Sequence, residues 1–146
     1  MSKRVTPQEA SELVTSGWVY LDVRSIPEFE QGHAAGAFNI PLMHATGGRM
    51  VPNGDFQAVI SAAFPRDARL VVGCKSGGRS AQAVGLLAAL GYQSLVDVRG
   101  GFSGERDNLG RSTAPGWADA GLPVASQPEP GRAYVDLLKK KTSPPT

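Results

Sequence analysis

The residues most able to do chemistry surround Cys74, the only cysteine of the chain. Cys74 begins a short segment rich in glycine, serine and basic residues, Cys74-Lys75-Ser76-Gly77-Gly78-Arg79-Ser80. An apolar run at residues 70–72 precedes it, and an Ala/Leu-rich run at residues 80–90 follows. We therefore expect a strand to deliver the thiol to a loop that opens a helix. Backbone N–H groups of such a loop converge, and the helix N-terminus adds partial positive charge, so the setting stabilises a thiolate and attracts an anion.

The predicted role of Cys74 is that of a nucleophile, since the thiolate is the reactive form of cysteine. A buried and inert cysteine is the alternative interpretation. An inert core cysteine does not require flanking lysine, serine, glycine and arginine. The composition of the segment therefore favours catalysis.

The rest of the segment forms the predicted substrate-binding set: Lys75, Ser76, Gly77, Gly78, Arg79 and Ser80. Arg79 offers a planar fork to an oxyanion, whereas Lys75 is closer to a point charge. The two serines are candidates to donate hydrogen bonds to sulfur, and Ser80 is equally suited to cap the helix. The two glycines would act through backbone shape, because glycine reaches some loop conformations at low cost.

Length and composition indicate one globular domain. The chain has 146 residues, 41% of them hydrophobic, and a formal charge of +2. That charge is too small to indicate nucleic-acid binding, and no apolar stretch approaches the roughly 18 residues that span a membrane. A lone cysteine excludes an internal disulfide and suits a reducing cytosol, so we expect a cytoplasmic protein. With only two histidines and scattered carboxylates, we expect neither a metal site nor a cofactor.

Apolar runs and helical patterns alternate along the chain. Helices are predicted at residues 6–15, 25–31, 55–63 and 80–90, and strands at 18–23, 37–40, 69–73 and 93–98. Residues 42–53 are interpreted as a loop. The alternation predicts an α/β fold with a central parallel sheet of about five strands and helices on both faces. Ligands of such sheets bind beyond the carboxyl ends of the strands, where Cys74 is expected.

The C-terminal third is less regular. Residues 100–116 are rich in glycine, serine and arginine, and residues 117–123 form a more ordered stretch. We place the domain at residues 1–125. Residues 126–146 carry several prolines and are interpreted as a tail, with a short helix predicted at 132–141.

Four motifs in this order resemble the rhodanese-like sulfurtransferases. The motifs are Leu21-Asp22-Val23-Arg24 with Glu28-Phe29 and Gly32-His33, then Gly36-Ala37-Phe38-Asn39-Ile40-Pro41, then the Cys74 segment, and finally Gly100-Gly101 with Trp117-Ala118-Asp119-Ala120-Gly121-Leu122-Pro123. The resemblance covers about residues 5–125 and implies a single rhodanese domain. The chain departs from the family pattern by an insert at about residues 103–116, which is expected to be a lid, a partner surface or a neutral loop.

The resemblance also implies roles for residues outside the cysteine segment. Asp22 and Arg24 would shape the cavity or form structural ion pairs, Arg24 with Glu28. His33 matches a structural histidine of the family. A Cys/His dyad, in which His33 would be a general base, is the less favoured alternative.

The implied activity is that of a thiosulfate sulfurtransferase. Cys74 would take the outer sulfur of thiosulfate or a similar small anionic donor, become a persulfide, and pass that sulfur to a thiol or cyanide. One alternative is a persulfide carrier that a protein partner feeds in a thiolation pathway, with a protein as sulfur acceptor. Another is a phosphatase or arsenate reductase of the same fold. Phosphatases of this fold place five residues between cysteine and arginine, and here four intervene, which disfavours that alternative.

Overall fold

The computed structural model describes residues 3–75 and 78–142, so Ser76 and Gly77 lie outside the described residues. The helices are α1 (Pro7–Thr15), α2 (Ile26–Gln31), α3 (Phe56–Ala63), α4 (Gly78–Ala89) and α5 (Tyr134–Thr142). The strands are β1 (Lys3–Val5), β2 (Val19–Asp22), β3 (His33–Ala34), β4 (Phe38–Asn39), β5 (Met43–Thr46), β6 (Arg49–Pro52), β7 (Arg69–Gly73), β8 (Ser94–Val98), β9 (Glu105–Arg106), β10 (Ser112–Ala114) and β11 (Val124–Ala125).

The central sheet has five parallel strands in the order β1-β8-β7-β2-β4. This confirms the predicted α/β class and the parallel sheet. Strand β1 was not predicted from the sequence. It lies at the sheet edge, where only Val5 of its three residues is buried, so it lacks the apolar run that identifies a central strand.

Side chains alternate between two apolar layers, one on each face of the sheet. On β2, Leu21 packs into the layer of α3, α4 and α5, whereas Tyr20 packs into the layer of α1 and α2. On β7, Val72 packs into the first of these layers and Val71 into the second. Helices therefore cover both faces, as the near-continuous apolar strands predicted.

Residues 42–53, interpreted as a loop, instead contain the antiparallel hairpin of β5 and β6. Gly47 and Gly48 form its turn with φ of 56° and 77°. A two-residue turn of this kind needs positive φ at both positions, and two glycines supply it. The strands on either side are largely exposed, so they lack the apolar pattern from which a strand is predicted.

Helix α4 begins at Gly78, two residues before the predicted start at residue 80. Gly78 and Arg79 therefore belong to the first helical turn rather than to the preceding loop. Glycine has a low helix propensity, so Gly78 does not mark the start of a helix in the sequence.

The insert forms a second small hairpin, made of β9 and β10. At its base, the Gly104 N–H donates to the Gly100 carbonyl over 2.7 Å, and the Trp117 N–H donates to the Gly101 carbonyl over 2.8 Å. The chain thus leaves the domain and returns to nearly the same point. The hairpin therefore begins and ends beside the double glycine, Gly100-Gly101.

The segment after residue 125, interpreted as a tail, includes α5, which packs against α3. Tyr134 and Leu137 are buried in the same apolar layer as α3 and α4. The sequence signal was weak because this helix is short and its last four residues are three lysines and a threonine. The packed structure thus extends past the domain boundary drawn at residue 125.

Replacing Leu137 by alanine tests this packing. Leu137 is completely buried, so Leu137→Ala should lower the free energy of unfolding by about 2–5 kcal/mol in urea denaturation. The matched control is Val135→Ala on the same helix, because Val135 is 58% exposed and should change stability by less than about 0.5 kcal/mol. Equal stability of the two variants would contradict the docking of α5.

Candidate active site

The backbone around Cys74 is held from two sides. On one side the Val23 N–H donates to the Gly73 carbonyl over 3.0 Å, which extends the pairing of β2 with β7. On the other side the Phe102 N–H donates to the Cys74 carbonyl over 2.7 Å, and the Ser103 N–H donates to the Lys75 carbonyl over 2.8 Å. Cys74 therefore lies at the carboxyl edge of the sheet, where the sequence predicted it.

Gly101 allows this close packing. Its φ is +54°, and a Cβ atom at this position would lie 2.3 Å from the Cys74 carbonyl oxygen. Any side chain would push the double-glycine segment away from the cysteine. The double glycine is thus a structural requirement of the cysteine backbone.

The Cys74 side chain is 2% exposed and contacts a buried polar pair. Its sulfur lies 3.4 Å from Ser80 Oγ, and the Ser80 hydroxyl donates to Asp97 Oδ1 over 2.5 Å. Ser80 on α4 thus contacts the sulfur, but it accepts from the thiol and donates to Asp97 rather than to sulfur. Asp97 was missed, although a lone carboxylate in the otherwise apolar strand β8 was a signal.

Arg79 forms a two-point ion pair with Glu28 of α2. Its Nη1 and Nη2 atoms lie 2.6 and 2.9 Å from the two carboxylate oxygens. Burial raises the pKa of Glu28, but the hydrogen bonds from Arg79 and Ser25 outweigh burial and lower that pKa to about 2. In turn, hydrogen bonding to Glu28 raises the pKa of Arg79, and the nearby Cys74 contributes in the same direction. The guanidinium thus lies within electrostatic range of the cysteine.

The pair proposed for Arg24 and Glu28 is wrong, because Arg24 binds Asp22 instead. Arg24 Nη2 lies 2.7 Å from Asp22 Oδ2, and its Nε donates to both carboxylate oxygens. The same guanidinium donates to the Gly32 carbonyl and lies 4.5 Å from the centre of the Phe102 ring. Asp22 is only two residues from Arg24 in the sequence, so the two side chains pair locally. Glu28 instead faces α4, where it binds Arg79.

A cavity of about 240 Å³ opens beside the cysteine backbone. The residues that line it come from three parts of the chain: Arg24, Glu28, Gln31, Gly32, Lys75, Phe102 and Ser103. Arg24 and Glu28 are each paired with an opposite charge, Asp22 and Arg79, so Lys75 is the cation of this lining that adds net positive charge. The cavity thus carries net positive charge one residue from Cys74.

The remaining predicted residues take different places. Gly78 is exposed at the first position of α4. His33 is buried and stacks on Phe29 with ring centres 3.7 Å apart, and its Nδ1 lies 2.7 Å from the Phe29 carbonyl oxygen. These contacts are those of a structural histidine.

The family model described as "Rhodanese-like domain" matches residues 6–106. The chain belongs to the rhodanese-like domain family. This rhodanese-like domain is 40% identical over 115 residues to "Thiosulfate sulfurtransferase 16, chloroplastic" of Arabidopsis thaliana, an alignment that covers 79% of the chain and 86% of that relative. It is 33% identical over 120 residues to "Protein HIGH ARSENIC CONTENT 1, mitochondrial" of the same plant, covering 82% of the chain and 64% of the relative. Among solved structures, Rv0390 from M. tuberculosis matches with a TM-score of 0.72 and 26% identity, over 86% of this chain and 98% of that one.

These relatives bear on the predicted location of the rhodanese-like domain. Within residues 3–75 and 78–142, no helix is long and apolar enough to cross a membrane. The names of two relatives carry the words chloroplastic and mitochondrial. The cytoplasmic location expected from the sequence therefore stays a prediction.

Replacing Gly101 by alanine tests its close approach to Cys74. The control is Gly47→Ala, because Gly47 has nearly the same φ, +56°, but nothing within 4 Å of the added Cβ. The control should lose about 1–2 kcal/mol of unfolding free energy from backbone strain alone. Gly101→Ala should lose about 1–3 kcal/mol more, because overpacking is added to the same strain. If urea denaturation gave equal losses, the close approach would not constrain the fold.

The Glu28–Arg79 pair predicts a pH dependence of stability. Since folding lowers the pKa of Glu28 from 4.5 to about 2, the charged carboxylate stabilises the fold above pH 4.5, and that stabilisation is lost as the pH falls through about 2. Glu28→Gln should therefore be less stable than the unmodified domain at neutral pH, and the difference should shrink between pH 4.5 and about 2. Urea denaturation across this range measures it.

The matched control is Glu30→Gln, which removes one carboxylate from an exposed position on the same helix. The contrary result is a difference in unfolding free energy between Glu28→Gln and the unmodified domain that is the same at every pH down to about 2. That result would exclude titration of Glu28 as the source of the difference.

Proposed function

We propose that this rhodanese-like domain is a thiosulfate sulfurtransferase that works through a persulfide on Cys74. The observation that carries the proposal is the position of Cys74, fixed at the sheet edge beside a cavity lined by the exposed cation Lys75. Relatives with sulfurtransferase names support the same reaction class. A small dianionic donor such as thiosulfate suits this cavity in charge and in size.

The reaction has two displacement steps at sulfur. The Cys74 thiolate attacks the outer sulfur of thiosulfate, the S–S bond of the donor breaks, and sulfite leaves with the bonding electron pair. A thiolate acceptor, or cyanide in the test tube, then attacks the terminal sulfur of the persulfide. That sulfur leaves with the acceptor, and the Cys74 thiolate is restored. The cycle needs no outside oxidant or reductant.

The cationic residues have separate roles in this proposal. Lys75 is exposed and lines the cavity, so it would attract the sulfonate end of the donor. Arg24 lines the same cavity, but its charge is compensated by Asp22, so its role there is to shape the wall. Arg79 does not line the cavity; it gives two N–H groups to Glu28, which does line it. Glu28 thereby orients Arg79.

Arsenate reduction is the second candidate, and the relative named for high arsenic content favours it. A nucleophilic cysteine beside an anion site would suit an arsenate oxyanion as well as thiosulfate. Four residues separate Cys74 from Arg79, one fewer than in the phosphatases of this fold. The shorter loop suits a single sulfur atom better than a tetrahedral oxyanion.

The deciding experiment is the intact mass of the reduced protein after incubation with thiosulfate, and again after addition of cyanide. We expect the protein to gain the mass of one sulfur atom and to lose it to cyanide. Cys74→Ser should gain nothing, because it lacks the nucleophilic sulfur.

The other outcomes of the same experiment separate the alternatives. No gain of sulfur by a protein whose Cys74 is alkylated readily would reject thiosulfate as the donor and leave a carrier that a protein partner feeds. Reduction of arsenate in the presence of a thiol, without sulfur gain, would establish the second candidate instead.

A further inference from the structure

Asp97 is a buried carboxylate for which the proposed sulfur transfer gives no role. It lies near the end of β8, is 3% exposed, and is paired in register with Val72 of β7. One carboxylate oxygen accepts the Ser80 hydroxyl over 2.5 Å, and the other lies 3.6 Å from Nε of the half-exposed Arg4. Burying a carboxylate costs free energy, so its position requires an explanation.

The contacts of Ser80 connect this carboxylate to the nucleophile. The Cys74 thiol donates to Ser80 Oγ over 3.4 Å, and the Ser80 hydroxyl donates its one proton to Asp97. A hydroxyl can accept one hydrogen bond and donate another at the same time. The three side chains therefore form a continuous hydrogen-bonded path from sulfur to carboxylate.

We propose that Asp97, acting through Ser80, accepts the proton that Cys74 loses when it becomes a thiolate. The S–H bond breaks and its proton forms a bond to Ser80 Oγ, while the original Ser80 proton moves to Asp97 Oδ1. Afterwards Ser80 donates a hydrogen bond to the thiolate, and neutral Asp97 donates one to Ser80. This inference rests on the proposed function only in that sulfur transfer needs a thiolate.

Electrostatics favour the transfer. A thiolate formed beside an ionised Asp97 would place two negative charges in a buried region, and each would disfavour the other. The relay avoids this because only one negative charge is present before and after it. Burial also raises the pKa of Asp97 and outweighs the hydrogen bond from Ser80 and the charge of Arg4, which lower it. The raised pKa makes protonation of Asp97 easier.

The other groups that face Asp97 are few in the described residues. Arg4 approaches from β1, Ser80 from α4, and the Tyr20 phenol from β2, while Cys74 follows β7. Burial raises the pKa of Tyr20, so its phenol stays neutral at physiological pH. Arg4 is half-exposed and cannot receive a proton. Asp97 is thus the proton acceptor at the end of the path.

Replacing Asp97 by asparagine distinguishes a relay from a simple charge effect, because the two predict opposite signs. Removal of a nearby negative charge would, by itself, favour the Cys74 thiolate and speed its alkylation. Loss of the proton acceptor would remove the state in which Asp97 is protonated and Cys74 is a thiolate, and so would lower the thiolate fraction at neutral pH. Asparagine has nearly the same shape and can still accept the Ser80 hydrogen bond, so the fold is preserved.

The measurement is the rate of Cys74 alkylation by iodoacetamide as a function of pH. We expect Asp97→Asn and Ser80→Ala each to move the midpoint of the profile upward by about one pH unit or more, a rate about tenfold lower at neutral pH. The double variant should shift the midpoint little further than either single variant, since each substitution breaks the same path. Asp67→Asn, an exposed aspartate that precedes β7 at the opposite edge of the sheet, is the matched control and should leave the profile unchanged.

Infrared spectroscopy of the unmodified protein gives a second measurement that does not depend on folding of a variant. As the pH is raised, the S–H band should disappear while a protonated carboxyl band is still present, and Asp97→Asn should lack that carboxyl band. An alkylation profile of Asp97→Asn that is unchanged or moved to lower pH, or an S–H band lost without the carboxyl band, would overturn the relay.

The relay and the proposed function fail separately. Sulfur gain from thiosulfate, with an unchanged alkylation profile in Asp97→Asn, would reject the relay and retain the sulfurtransferase. A shifted profile without sulfur gain would retain the relay and reject thiosulfate as the donor.

Discussion

The close approach of the double-glycine segment to the Cys74 backbone is the constraint on which the site depends. The Cys74 carbonyl accepts from Phe102, and this is feasible only because Gly101 has no side chain. The same segment is the base from which the insert hairpin leaves and to which it returns through Trp117. The insert can therefore differ in length without moving the cysteine, because the contacts that fix Cys74 lie outside the hairpin.

Around this backbone, most of the charged groups near the cysteine are paired. Arg24 is matched with Asp22 and Arg79 with Glu28, both through two N–H groups. Buried charges without partners are strongly destabilising, so these pairs hold their side chains in one arrangement. Lys75 differs because it is exposed and lines the cavity, where the proposed donor anion would meet it.

The sequence predicted the sheet, most of its helices and the place of Cys74, because these follow from local patterns of apolar residues, capping residues and glycine. It did not predict what depends on distant pairing. The partner of Glu28 is Arg79, 51 residues away, and nothing local distinguishes this pairing from one with Arg24. Asp97 was overlooked because a strand was inferred from its apolar neighbours, and its contact with Ser80 arises only when β8 lies beside β7.

Strand order gives the site two sides with different chemistry. Strand β7 lies between β2 and β8, so Cys74 has Arg24 and the anion cavity on one side and Asp97 on the other. In the proposed reaction the donor anion would enter on the β2 side, where the cavity lies, while the thiol proton would leave toward the β8 side through Ser80. If both groups were on one side, the positive charge that binds the donor would neutralise the carboxylate that takes the proton. Their separation by the central strand would let Cys74 pass its proton to one anion, Asp97, and attack a second anion, the sulfur donor.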